Sequence, residues 1–165
     1  MIQKKICLIG AFAVGKTSLV SRYVRSVFSE KYHTTIGVKV DKKVVETRAG
    51  EVGLLIWDLA GQDDFGAIEM NYLRGASGYL LIIDGTRRST LETAVLLQQR
   101  VFAEVGPVPF RVLVNKSDLR AEWEVTNADL ELLAKHRWEV ALTSALNGEN
   151  VEASFVSLAE AMLSS

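Results

Sequence analysis

Eight residues, Gly10-Ala11-Phe12-Ala13-Val14-Gly15-Lys16-Thr17, constrain this chain more than any others. They fit the spacing G-x-x-x-x-G-K-[ST] and directly follow the apolar run Ile6-Cys7-Leu8-Ile9. The expected local order is a buried strand, a glycine-bearing turn and a helix. Leu19, Val20, Tyr23, Val24 and Val27 recur at helical spacing across Lys16 to Val27. Glycines let backbone amides turn inward onto an anion without a side chain intervening. The amino end of the following helix favours the same anion. Lys16 is expected to place its ammonium on β- and γ-phosphates, and Thr17 its hydroxyl on Mg²⁺. Gly10, Ala13, Val14, Gly15, Lys16, Thr17 and Ser18 are thus the expected phosphate-binding residues. The competing reading is a glycine-containing strand-to-helix turn with an incidental lysine. The motif implies a nucleoside triphosphate without saying which base.

The remainder alternates in the same manner. Val38 to Thr47 and Val52 to Trp57 are strand-like and flank Arg48-Ala49-Gly50-Glu51, which predicts an antiparallel hairpin. Tyr79 to Ile83 and Val112 to Val114 are continuous apolar runs, as in central parallel strands. Leu91 to Phe102 reads as a helix, and Thr126, with Asp129 three residues on, caps another that runs to about Arg137. Val140 to Leu142 is a last strand, Asn147-Gly148 a turn, and Val151, Phe155, Leu158, Ala159 and Met162 mark a final helix. The expected fold is α/β: a six-stranded, mostly parallel sheet with one antiparallel edge strand and helices on both faces. Residues 1–165 are expected to form one domain, with the ligand at the carboxyl ends of the strands.

Asn115-Lys116-Ser117-Asp118 follows the strand Val112 to Val114 and fits N-K-x-D. Guanine offers two adjacent donors, a ring N–H and an exocyclic amine, and one carboxylate accepts both as a charge-assisted pair. Adenine lacks that pair, and sites built on polar matching discriminate by about 10⁴ or more. Asp118 is therefore the expected base selector, Asn115 a tie between loops and the Lys116 stem a cover for the base plane. The bland alternative is a polar exposed turn. Ser144, Ala145 and Leu146 follow the last strand, and an amide there, that of Ala145, is expected to reach the guanine carbonyl. Phe28, just after the first helix, would cover the other side of the base or simply be a core or surface aromatic.

Trp57-Asp58-Leu59-Ala60-Gly61-Gln62 closes the second hairpin strand. An acidic residue at a strand end suits Mg²⁺, so Asp58 joins Thr17 as an expected metal residue. Gly61 offers a bare amide to a γ-phosphate, and Gln62 is suited to orienting water. Tyr32-His33-Thr34-Thr35-Ile36-Gly37 reads as a polar loop, with His33 on a mobile surface. From that loop Thr35 would give a hydroxyl to Mg²⁺ and an amide to the γ-phosphate. The expected catalytic set is Gln62, Lys16, Thr35 and Gly61.

Taken in order, these motifs resemble the Ras superfamily of small GTPases over essentially the whole chain. Thr35-Ile36-Gly37-Val38, Ile56-Trp57-Asp58 and Leu73-Arg74-Gly75-Ala76 with Gly78 are similar to its Rab branch. The resemblance implies a P-loop NTPase fold and a single G domain that binds GTP and GDP with Mg²⁺ and hydrolyses GTP. It also implies two mobile segments, roughly Glu30 to Val38 and Ala60 to Arg74, ordered by γ-phosphate and read by partners. Exchange factors, an activating protein and effectors are the implied partners. A net charge of −1 gives no broad attraction to nucleic acid or an anionic membrane. The end, Ala161-Met162-Leu163-Ser164-Ser165, carries no prenylation cysteine or basic tail, so these residues are not expected to encode membrane association. The sole cysteine, Cys7, lies in an apolar run, which fits a reducing, cytoplasmic setting.

Several positions depart from the pattern. Phe12 stands where the family has a small residue, Leu59 replaces threonine, Asp64 an arginine, Leu146 a lysine and Val40 an aromatic. A ring at Phe12 would displace Gln62 or block an activator's arginine, slowing hydrolysis; otherwise it points into solvent and matters little. The alternative function is a nucleotide-bound interaction module that scarcely hydrolyses GTP. An ATP-dependent kinase or motor is a third reading, opposed by Asn115 and Asp118.

Overall fold

The structure, a computed structural model, describes residues 1–24, 30–33, 38–59 and 70–164. Among them are seven strands: β1 (Ile2–Gly10), β2 (Glu30–His33), β3 (Lys39–Thr47), β4 (Gly50–Asp58), β5 (Gly78–Asp84), β6 (Phe110–Asn115) and β7 (Val140–Thr143). The helices are α1 (Lys16–Val24), α2 (Arg88–Val105), α3 (Asn127–Lys135) and α4 (Val151–Leu163). One sheet runs β2-β3-β4-β1-β5-β6-β7. From β4 to β7 neighbouring strands are parallel, whereas β3 pairs antiparallel with both β4 and β2.

The six expected strands are all present, and the sheet is mostly parallel with an antiparallel edge. The seventh, β2, corrects the reading of Tyr32 and His33 as loop: Tyr32 pairs with Val40 and His33 with Lys39. An outer strand offers a row of unpaired amides and carbonyls, and the chain leaving α1 takes them up.

Two apolar layers follow from the two-residue period of the strands. Ile6 and Leu8 of β1 join Leu19 and Tyr23 of α1 and Phe155 and Leu158 of α4. The Tyr23 and Phe155 rings stack at 4.0 Å. Cys7 and Ile9 face the other way, into a layer with Leu91, Leu97 and Val101 of α2 and Leu133 of α3. All seven residues of β5 are buried, as a central strand covered on both faces requires. Thr126 and Asp129 form a reciprocal capping box at the start of α3.

This winding brings the last residues of five strands, Gly10, Asp58, Asp84, Asn115 and Thr143, to one edge of the sheet. Open parallel sheets hold their ligands at that edge.

Candidate functional site

The turn after β1 has two left-handed residues, Ala13 at φ 61° and Gly15 at φ 106°. Glycine at 15 is required twice: by that φ, and because a Cβ would collide with the Asn115 side-chain amide. Lys16 opens α1 and folds back over its own loop. Its Nζ donates to the carbonyls of Gly10 at 2.9 Å and Ala11 at 2.7 Å. Burial draws its pKa down to about 8, with the Asp58 carboxylate opposing and the Arg87 guanidinium adding to the fall. A buried ammonium facing carbonyls is well placed to take an anion, which would favour its charged form. The Thr17 hydroxyl donates to Asp58 Oδ2 at 2.8 Å, so α1 and β4 place two oxygen donors side by side. Hard oxygen donors of this kind are what Mg²⁺ takes, and this pair fits it. Val14 is buried in the apolar layer, and Ser18 is exposed in the first turn of α1.

At the other end of the edge, Asn115 closes β6. Its Nδ2 donates to the Val14 carbonyl at 3.1 Å, and its Oδ1 accepts from the Thr143 hydroxyl at 3.2 Å. One side chain thereby joins the turn after β1 to the last residue of β7. Asp118 accepts from the Ser144 hydroxyl at 2.7 Å, and Ser144 Oγ in turn accepts from the Asn147 amide at 3.1 Å. A carboxylate has about four lone-pair sites, so Asp118 keeps capacity for a further pair of donors. Ala145 is half-buried beside Ser144, and Leu146 is 75% exposed.

Lys116 also makes a contact that the sequence did not predict. Its backbone is left-handed, at φ 76°, and its Nζ pairs with Asp84 Oδ2 at 2.8 Å. Asp84, at the end of β5, is fully buried and also accepts from the Thr86 amide at 2.9 Å, the Thr86 hydroxyl at 2.7 Å and Arg87 Nε at 3.0 Å. Burial alone would raise its pKa, but Lys116, Thr86 and Arg87 together hold it below the usual carboxylate range. The Trp123 indole donates to the Lys116 carbonyl at 2.8 Å, and its ring lies where a side chain at Gly85 would stand. Arg22 of α1 holds the carbonyls of Leu146 and Asn147, and Ser117 donates to Glu149.

Asp84, Arg87, Trp123, Arg22 and Glu149 were not among the sequence candidates. Asp84 alone had a sequence signal: like Asp58, it is an acid at the carboxyl end of an apolar run. Phe28, Thr35, Gly61, Gln62 and Asp64 lie outside the described residues. Phe12 is described and is 58% exposed. A separate cavity of about 470 Å³ between β7 and α4 is lined by residues including Arg111, Glu139, Leu142 and Ser157, and by Glu149, but by none of the sequence candidates.

With this geometry in view, the sequence pattern of the Ras family matches residues 5–164. The chain is 38% identical over 154 residues to the Ras-related protein Rab-11A of Dictyostelium discoideum, covering 92% of this chain and 72% of that protein. It is 37% identical over 162 residues to human Ras-related protein Rab-4B, covering 96% of this chain and 76% of the relative. The Ras-related protein Rab-25 of Canis lupus familiaris is 37% identical over 153 residues, covering 92% and 72% respectively.

Proposed function

The chain belongs to the Ras family, and from that premise we propose that residues 1–165 act as one G domain whose two γ-phosphate-sensing segments, roughly Glu30 to Val38 and Ala60 to Arg74, report the bound nucleotide to partners. It is a small GTPase of the Rab-like kind, binding GTP and GDP with Mg²⁺ and hydrolysing GTP. The observation that carries the reading is Asn115. It joins the turn around Lys16 to the end of β7, next to the serine that orients Asp118, so a purine with a phosphate tail would meet both.

In this reading Asp118 accepts the two guanine donors, the Lys116 stem and Phe28 enclose the base, and the turn at Ser144, Ala145 and Leu146 offers an amide to its carbonyl. Lys16 and backbone amides of residues 10–18 neutralise charge gathering on the transferring phosphoryl group. Gln62 orients the water whose oxygen bonds to the γ-phosphorus as the bond to the β–γ bridging oxygen breaks, giving GDP and phosphate. Thr17 and Asp58, with Thr35, would hold Mg²⁺, which neutralises phosphate charge when bound. Cys7, buried with its thiol pKa pushed up to about 12, fits a reducing cytoplasm.

The test is Asp118→Asn, which exchanges an acceptor oxygen for a donor. GTP should bind about 100-fold more weakly or worse, while xanthosine triphosphate competes better than against wild type. Unchanged GTP affinity would reject the assignment.

Phe12 favours a second reading, slow hydrolysis, because its exposed ring stands on the loop past which an activator's arginine would travel. Such an arginine contributes about 10³ to 10⁵ in rate across this enzyme class. Phe12→Gly should then speed single-turnover hydrolysis, and agreement with wild type within a factor of two would discard the obstruction. Equal, near-zero phosphate release from wild type and Gln62→Leu would instead favour a nucleotide-bound interaction module.

A further inference from the structure

Asp84 Oδ2 is shared by two cations, Lys116 Nζ at 2.8 Å and Arg87 Nε at 3.0 Å. The far end of the same guanidinium donates to the Phe12 carbonyl at 2.8 Å. These bonds form an unbroken chain from the base-side lysine, through a fully buried carboxylate, to the middle of the phosphate loop. We infer that Arg87 is a positioning residue that clamps the phosphate loop to the base loop and so sets how long the nucleotide stays bound. The inference rests on the nucleotide reading above and adds to it a residue that does not itself touch the ligand.

The chemistry favours this role. A loop carbonyl is a strong acceptor that wants a donor, and Arg87 supplies one to Phe12. A planar guanidinium can serve a carboxylate with one nitrogen and a carbonyl with another, which a lysine ammonium on a flexible stem cannot do with the same fixed geometry. Arg87 is itself held in place: its carbonyl lies 2.7 Å from the Thr90 hydroxyl, which also accepts from the Asp84 amide at 2.9 Å. The neighbouring Arg88 supplies a natural control. Its guanidinium goes to Asp129 and Glu92, linking α2 to α3; only its backbone amide, which an alanine would keep, reaches the segment after β6, at Glu124.

The experiment measures release of fluorescent N-methylanthraniloyl-GDP and melting temperature for wild type and three variants. Arg87→Ala should release GDP about 5- to 10-fold faster, and Arg87→Lys about 2-fold faster. Arg88→Ala should lower the melting temperature and leave GDP release unchanged. If Arg87→Ala does not fold, Arg87→Gln keeps much of the length without the fork or charge and carries the same expectation. Release at the wild-type rate from the Arg87 variants, or equal acceleration by Arg88→Ala, would overturn the clamp. A wild-type protein that fails to bind the labelled GDP would instead reject the nucleotide reading itself.

Discussion

Lys16 reaches its two carbonyl partners across five and six residues of its own loop, whereas Asp118 is oriented by a serine 26 residues away. The turn behind that serine is held by an arginine 125 residues away. The phosphate end of the site is thus largely a property of one segment: a strand, a turn and the first turn of a helix. The base end is assembled from side chains on the turns after β5, β6 and β7 and on α1. A local segment can present amides and an ammonium wherever its strand is packed. A planar carboxylate that must meet two donors at once needs its orientation supplied from elsewhere, because its own torsions leave it free to turn.

Separate construction implies that the two ends can be damaged separately. Ser144→Ala removes the donor that orients Asp118 and touches nothing at Lys16. GDP should bind about 10-fold more weakly, while inosine diphosphate, which lacks the exocyclic amine, loses less. The ratio of the two affinities, measured by competition, is the readout. Equal losses for both nucleotides would break the distinction between the ends.

A site remote from both ends sharpens the contrast. Asp129→Ala removes half of the capping box of α3 and the partner of Arg88. The cost should be about 1 kcal/mol of unfolding free energy, read from urea denaturation, with nucleotide affinity unchanged. The effect carries a pH signature. Hydrogen bonding from the Arg88 guanidinium, then from the Thr126 amide, holds the Asp129 pKa at about 2, below the ordinary value of about 4. A depressed carboxylate contributes stability that is complete above the unfolded pKa and is lost as pH falls through the folded one. The difference between wild type and Asp129→Ala should therefore be constant above about pH 4 and shrink from there toward pH 2. A difference that grows on acidification would contradict the pairing.

The smallest expected effect lies within the phosphate loop. Ala13 holds a left-handed conformation at φ 61°, which is unfavourable for any residue with a Cβ. Ala13→Gly relieves that and loosens the unfolded chain, so the net gain should be only about 0.5 kcal/mol. A loss of stability on this substitution would mean that the alanine methyl makes a contact outweighing the strain.

Much of this molecule is legible in its amino-acid order, for reasons that differ by element. The helices α2, α3 and α4 announce themselves by periodicity, and α3 also by Thr126 and Asp129, since both helical spacing and a capping box are contained within a few residues. The central strands are legible as short apolar runs. β2 was not, because Glu30-Lys31-Tyr32-His33 has no strand-like pattern and pairs only because β3 presents an open edge. In the site, Lys16, Thr17, Asp58, Asn115 and Asp118 follow from motifs whose chemistry is local. Trp123 and Arg22 do not, since an aromatic in a polar loop and an arginine on an amphipathic helix are ordinary residues until something is packed against them.

The sequence by itself determined that a strand-turn-helix would present glycines, a lysine and a threonine to an anion, and that a second loop would carry an asparagine and a carboxylate suited to guanine. Only the tertiary structure decided that Asp84 would gather Lys116 and Arg87, and that Asn115 would span the two loops. The physical reason is strand pairing. Alignment of Gly10 with Ile82, Asp84 with Asn115, and Asn115 with Thr143 brings strand ends from distant parts of the chain to one edge. Hydrogen bonds act over about 3 Å, so which side chains share a carboxylate is settled by that alignment and not by their spacing along the chain.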